Sequence, residues 1–349
     1  MASLSAASGT TDDKARCGED QLPEYKTPEP DADGMVHLEM PEPDPDGIVR
    51  RVPGETKAAG VGYTGAMRRI DAALRSSGDP YDQAVADALN IGGLQSLQAQ
   101  QAAVVQDAET SHDGRIESLA FSVCGAMAPW QPIGQRPIPA APVCARLNAR
   151  DWARDDPGNG VPWLYALQQA DQAGDHAAQR EALQRLASAT RFDTRFGAAP
   201  AVVARVRAPS DADLAAQSSL AMQAIPLDLG APFTVLTSRC RSKAGGDSQM
   251  AAACDAIAGR MIDHADSFLT RAVGGSIHKQ VTGDGTRLDD IHQETSAYGQ
   301  LWSAQVDEAP CSGERQMLRR MVQIGEHGEV ALMREELKAQ KPRLTRASR

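Results

Sequence analysis

An all-α fold of stacked antiparallel helical hairpins, preceded by a disordered acidic arm, is what this sequence predicts. Three observations predict it. Only 4% of the residues are aromatic, so a core has to come mainly from Ala, Leu, Val, Ile and Met. That supply suits close helix packing better than a large β-sandwich. From residue 61 onward apolar side chains recur at spacings of three and four, the period of one helix face. Gly, Pro and Asp then punctuate these stretches at helix-length intervals, where caps and stops belong.

The first 60 of the 349 residues read as an arm. They hold prolines at 23, 28, 30, 41, 43, 45 and 53, with 13 acidic side chains against 6 basic. So little apolar surface cannot offset the entropy of ordering. Within the arm, Pro28-Glu29-Pro30-Asp31-Ala32-Asp33-Gly34 returns thirteen residues later as Pro41-Glu42-Pro43-Asp44-Pro45-Asp46-Gly47. A calcium loop needs six to eight oxygens and a bidentate acid near its end. Each copy offers two aspartates before its glycine and no closing Glu. The duplication therefore reads as a stiff acidic spacer.

Residues 61–127 read as N-terminal helical hairpins. Met67, Ile70 and Leu74 share one face, Ser77-Gly78-Asp79-Pro80 stops that helix and caps the next, and Tyr81, Val85 and Leu89 form the next face. Two more helices are expected near 94–108 and 115–124. Residues 128–144 carry five prolines and read as an extended connector. Residues 145–207 are the most patterned. Trp163, Leu164, Leu167 and Ala170 line one short helix, Gly174-Asp175 reverses the chain, and Ala182, Leu183, Leu186 and Ala187 line its return. In the C-terminal region, 208–349, "SDADLAAQSSLAMQAI" is a capped helix. "PLDLGAPFTVLTSRC" is a loop with a short extended piece at Phe233–Ser238. Met250, Cys254, Ile257 and Met261 mark another helix face, and one last helix spans 313–339 with weak points at Gly325 and Gly328.

The segment 151–190 resembles a tetratricopeptide-type repeat. Trp163 stands early in the first helix, Gly174 at the turn, small or leucine residues at the second helix's contact positions, and "DDPGN" precedes it. Gln179 occupies a site where that family prefers alanine. The resemblance implies an α-solenoid whose neighbouring units stack and leave a concave binding surface. Over 60–285 the chain is also similar to uncharacterised exported helical proteins of Gram-negative bacteria, on "DPGNGVPWLYALQQADQAGD" and the later paired cysteines.

Charge excludes one function class. Of the net charge of −10, the arm holds −7, so the rest of the chain is nearly neutral. A nucleic-acid surface needs a basic stripe interleaved with aromatics, and no such stripe exists. No run of eighteen apolar residues is available to span a bilayer. Arg outnumbers Lys 29 to 7, an imprint of GC-rich, bacterial coding. The opening "MASLSAASGT" lacks a charged n-region and apolar core and reads either as the cleavage-proximal end of a signal peptide or as an ordinary cytosolic leader.

Six cysteines, Cys17, Cys124, Cys144, Cys240, Cys254 and Cys311, are scattered without C-x-x-C or zinc spacing. The even count suits disulfides in an oxidising compartment. A Cys124–Cys144 bridge would staple two helices around the connector, and Cys240 and Cys254 flank a glycine-containing turn. Fifteen pairings remain open at this level.

Catalytic patterns are sparse. Ser276-Ile277-His278-Lys279 fits S-x-x-K without its companion motifs. Asp289, Asp290, His292 and Glu294 have hard-metal composition but no partner pair, and His264, His278 and His292 recur every fourteen residues across glycine breaks. No cofactor or metal is expected. The reading is a non-enzymatic protein–protein interaction module of the bacterial cell envelope, periplasmic or secreted: a scaffold, secretion accessory or immunity-type protein. Its partner is another protein or a peptide, with Trp163 and Tyr165 as the aromatics to watch, Trp163 leaning to the core and Tyr165 to the surface. The alternatives are an exported hydrolase near Ser276/Lys279 or Asp289–Glu294, and a cytosolic helical-repeat adaptor with reduced cysteines.

Overall fold

Short polar side chains start the helices where the sequence places them. Asp79 accepts from the Tyr81 amide at 2.9 Å, Ser96 from Ala99, Asn148 from Arg150, and Asp175 from both Ala177 and Ala178. Each satisfies an amide that a helix start leaves orphaned. The computed structural model describes residues 59–91, 96–126, 141–228, 232–243, 248–303 and 311–347. The acidic arm with its duplication, Cys17 and most of the proline connector lie outside the described residues.

Among the described residues the elements are all helical: α1 (Ala59–Arg75), α2 (Pro80–Leu89), α3 (Leu97–Ser111), α4 (Gly114–Ala126), a 3-10 turn (Pro142–Arg146), α5 (Ala149–Asp155), α6 (Val161–Gln172), α7 (His176–Ala187), α8 (Ala198–Arg205) and α9 (Asp211–Ala224). They continue with a second 3-10 turn (Ile225–Asp228), α10 (Phe233–Lys243), α11 (Ser248–His264), α12 (Phe268–Thr282), α13 (Thr286–Ser303), α14 (Ser312–His327) and α15 (Glu329–Ala347). The all-α expectation is borne out.

The expected faces point inward. Ile70, Leu74, Tyr81, Val85, Leu164, Leu167, Leu186, Ile257 and Met261 all enter one apolar cluster that runs from Ala66 to Met321. Hairpins α3/α4, α6/α7 and α11/α12 pack as antiparallel neighbours. Packing also joins helices remote in sequence: α1 lies on α9, α8 on α14, α7 on α11 and α6 on α10. The chain thus closes on itself through contacts between helices remote in sequence.

Two segments differ from expectation. Phe233–Ser238 is not extended but forms the first turns of α10. Leu236 and Cys240, four apart, are both buried, and Cys240 is bonded to Cys254 on α11. Burial at helical spacing outweighs the β-propensity of Phe, Thr and Val. The last expected helix is two, broken at Gly328, whose φ of 80° ends α14. Gly325 does not weaken α14; a Cβ there would come within 2.8 Å of the Gly197 carbonyl at the head of α8.

Four interhelical junctions are stitched together by backbone hydrogen bonds. Gly160 donates to Arg191 at 2.8 Å and Thr190 to Gly158 at 2.9 Å; Phe192 donates to His264 at 2.9 Å, Asp266 to Phe192 at 3.1 Å, and Val330 to Asp266 at 3.0 Å. The α5–α6, α7–α8, α11–α12 and α14–α15 junctions therefore form one seam, registering only as isolated parallel bridges. Asn159, 1% exposed, pins it. Its amide nitrogen donates to Asp156 and to the Asp193 carbonyl, and its amide oxygen accepts from Val161 and Asp193.

The disulfides Cys124–Cys144 and Cys240–Cys254 are formed, Cys311 is disulfide-bonded as well, and no described cysteine is free. Both expected staples are present. Non-reducing peptide mapping should recover 124–144 and 240–254 as linked pairs. Replacing Cys240 and Cys254 together by serine should cost about 3 kcal/mol, the chain-entropy value for a loop of this order. At the seam, a Cβ on Gly160 would sit 2.5 Å from the buried Phe192 ring. Gly160→Ala should therefore destabilise the fold by about 1–3 kcal/mol in urea unfolding, through overpacking alone.

Candidate functional site

A concavity lies between the end of α3, the face of α4, the first 3-10 turn and α5. It encloses about 510 Å³. The Cys124–Cys144 bond ties the last turn of α4 to the 3-10 turn and so holds two of its walls together. Behind it, Phe121, Trp152 and Tyr165 from α4, α5 and α6 form an aromatic cluster with ring centroids 4.7 to 5.6 Å apart. Such pairs add packing energy beyond the area they bury.

Glu117 of α4 lies in this cleft with only 8% of its surface exposed. Its Oε2 has no hydrogen-bond partner. Burial and the charge of Asp155 push its carboxyl up to about 7, with smaller contributions from Asp151 and Asp156 and opposition from His112. Ion pairs line the rim: His112 Nδ1 with Asp155 Oδ2 at 3.1 Å, Arg146 Nε with Glu109 Oε1 at 3.2 Å, and Arg154 with Asp151.

A second concavity of about 480 Å³ opens on the other side of α5. Asn148, Asp151 and Arg154 border both, so α5 is a ridge between two clefts. Trp163 of α6 and Arg185 of α7 line the second one. The Arg185 guanidinium lies 5.5 Å from the Trp163 ring centroid, within cation–π reach. Arg150 and Glu181 pair across it at 2.7 Å.

Of the two aromatics singled out in the sequence, Tyr165 departs from expectation and Trp163 packs only in part against the core. Tyr165, expected at the surface, is 5% exposed and hydrogen-bonded to Ser122, so it is not offered to a partner. Trp163 is only half-buried. The cause is that α6 is covered by α5 and α7, and its inner face takes Leu164, Tyr165 and Leu167.

The hydrolase candidates do not converge. Ser276 accepts from Gln280 on the same helix and Lys279 is exposed. His278 pairs with Asp255 at 2.6 Å, but residues two apart on a helix diverge by about 200°, which separates this pair from Ser276. Asp289, Asp290 and His292 are exposed, while Glu294 is held by the buried Arg271. His264, His278 and His292 stand on three different helices. Among the described residues no group of three His, Cys, Asp or Glu is placed to hold a metal ion.

Glu117 was not among the sequence candidates, although a signal exists. It sits three and four residues before Ala120 and Phe121, and so falls on the apolar face of α4. Its raised titration has a sign that can be checked. A carboxyl that holds its proton more tightly when folded stabilises the fold fully below its ordinary range and loses that contribution as pH rises through about 7. Glu117→Gln should therefore be near neutral at about pH 4 and stabilising by about 2 kcal/mol at about pH 8. Urea unfolding across that range reads the difference. Asp266, also raised by burial and by Asp193, leaves a residual slope of the same sign. Comparison of the chain with protein-family models, curated proteins and solved structures finds no match.

Proposed function

We propose that this chain is a non-enzymatic protein-binding module of the bacterial cell envelope. The observation that carries the reading is the pair of clefts flanking α5, one lined by a half-buried tryptophan and one by a buried acid. Concave helical surfaces with an aromatic anchor and a polar rim suit a peptide or a protein loop. The α6/α7 hairpin, which resembles a tetratricopeptide unit, supplies the anchor. Partly exposed aromatic and arginine side chains are the residue types that carry binding energy at interfaces.

The envelope address rests on the cysteines. Thiols of cytosolic proteins are kept reduced, whereas no described cysteine of this chain is free. Among the described residues no helix is long and apolar enough to cross a membrane.

A photoreactive amino acid at Arg154, exposed on the α5 ridge, tests the surface in living cells. The same group at Met222, 50% exposed on α9 and away from both clefts, is the control. Residue 154 should give a discrete cross-linked product that position 222 does not, and Trp163→Ala should reduce its yield about tenfold, as for an interface anchor. Equal labelling from both positions, or none from residue 154, would sink the reading.

A further inference from the structure

We infer that the cleft between α3, α4 and α5 receives one basic side chain of the partner, a lysine or an arginine, with Glu117 as its counter-ion. The inference rests on the protein-binding reading above and names the chemistry that the first cleft recognises.

The first argument is the unpartnered oxygen. Glu117 is more than nine-tenths buried and lines the cleft, and its Oε2, itself shielded from solvent behind that lining, has no donor. Buried acceptors without donors are costly and uncommon. An ammonium brings three donors and a guanidinium five, together with the opposite charge.

The second argument is the charge balance. Four carboxyl groups line the cleft, Glu109, Glu117, Asp151 and Asp155, against two guanidinium groups, Arg146 and Arg154. Both guanidinium groups are already engaged, Arg146 by Glu109 and Arg154 by Asp151, and His112 is engaged by Asp155. Among the described residues no cation forms an ion pair with Glu117, and His112 acts on it only from a distance. An anionic guest would meet a surplus of negative charge, and an apolar guest would leave Oε2 orphaned.

The third argument is the wall. Ala108, Phe121 and Leu147 give the cleft an apolar side next to the acid. Lysine and arginine carry long methylene stems that cover apolar surface while their heads seek charge. A small cation without a stem would leave that wall unused.

The proton couples to the guest. Near neutral pH Glu117 is partly protonated, and a cationic guest binds the ionised form, so binding strengthens as pH rises through about 7. The facing groups are Glu109 and His112 from the end of α3, Arg146 from the 3-10 turn, and Asp151, Arg154 and Asp155 from α5. Asp156, just beyond α5, adds its charge. The quantity to follow is therefore the Glu117 carboxyl itself.

The test uses the full chain with its disulfides intact, carrying 13C-labelled glutamate and titrated by NMR. Glu117 is assigned by its loss in Glu117→Gln. The probes are N-acetyl-lysine amide, N-acetyl-arginine amide and, as the uncharged isostere, N-acetyl-norleucine amide. A cationic probe should lower the Glu117 midpoint by about one unit or more, equivalent to about tenfold preference for the ionised form, and norleucine should leave it in place. Glu117→Gln should bind the cationic probes about tenfold more weakly. A midpoint unmoved by either cationic probe at about 100 mM, or equal binding to Glu117→Gln, overturns the inference. If cross-linking from residue 154 persists in that outcome, the protein-binding surface stands and only the basic side chain falls. A midpoint shift without any cross-link keeps the cation site and removes the protein partner.

Discussion

The seam of backbone hydrogen bonds through Gly158–Gly160, Thr190–Phe192, His264–Asp266 and Val330 is the constraint on which the rest depends. Helices satisfy their own backbone groups in their interiors, so helix–helix contacts alone leave sliding and rotation open. A backbone pair between two junctions removes that freedom, because each amide must meet one carbonyl within hydrogen-bond distance. Phe192, fully buried at the centre of the seam, adds a packing lock to the polar one. Asn159 then joins the strand-like pairing to the side-chain charges, since its amide holds both Asp156 and the backbone of Asp193. Asp156 in turn is paired with Arg191 and Arg195. The buried amide of Asn159 is saturated, whereas Arg195, one of the two arginine partners of Asp156, keeps its Nε buried without an acceptor.

The seam also positions the clefts. Asp156 follows α5 directly, so the same residues that anchor the junction set the angle at which α5 lies across α4 and α6. Trp152 is fully buried on the inner side of α5, and Asp151, Arg154 and Asp155 are left on its outer side. One short helix, tethered at its far end by the seam and at its near end by Asn148 and Gln169, whose Nε2 donates to the Leu147 carbonyl at 2.8 Å, thereby separates two concavities. The Cys124–Cys144 bond holds the opposite wall. The covalent and hydrogen-bonded ties are thus at the edges, and the exposed polar groups of α5 lie between them.

Local structure was legible in the sequence because its causes are local. The Asp79-Pro80 start, the Gly174-Asp175 reversal and the faces of α1, α2, α7 and α11 follow from capping and from period 3.6. The two disulfides were legible as candidates because each pair flanks a single connector. What was not legible is everything set by residues far apart in the chain. "DDPGN" reads as a turn, and nothing in it says that Gly158 and Gly160 meet residues 190–192. Phe233–Ser238 looks extended until Leu236 and Cys240 acquire a shared buried face. Trp163 and Tyr165 stand two residues apart on one helix, and only the placement of α4 and α5 decides which enters the aromatic cluster. Glu117 looks like an ordinary acid in the first turn of α4, a favourable place for a negative charge, until α5 closes over it.

The two acids that burial raises show why Glu117, and not Asp266, marks the site. Asp266 accepts from the Thr194 hydroxyl at 3.0 Å and from the Phe196 amide at 3.1 Å, and its own backbone closes two bonds of the seam. Its carboxyl is used up inside the fold, and its perturbed titration is a by-product of holding a junction. Glu117 holds nothing comparable: one oxygen is orphaned, its neighbours are already paired with one another, and it faces an open cleft. Perturbed titration alone does not separate a structural group from a binding one, because desolvation acts on both. The separation comes from counting donors. A buried acid with its acceptors filled belongs to the architecture, whereas Glu117 combines an unfilled, buried acceptor with a place in the lining of a cleft.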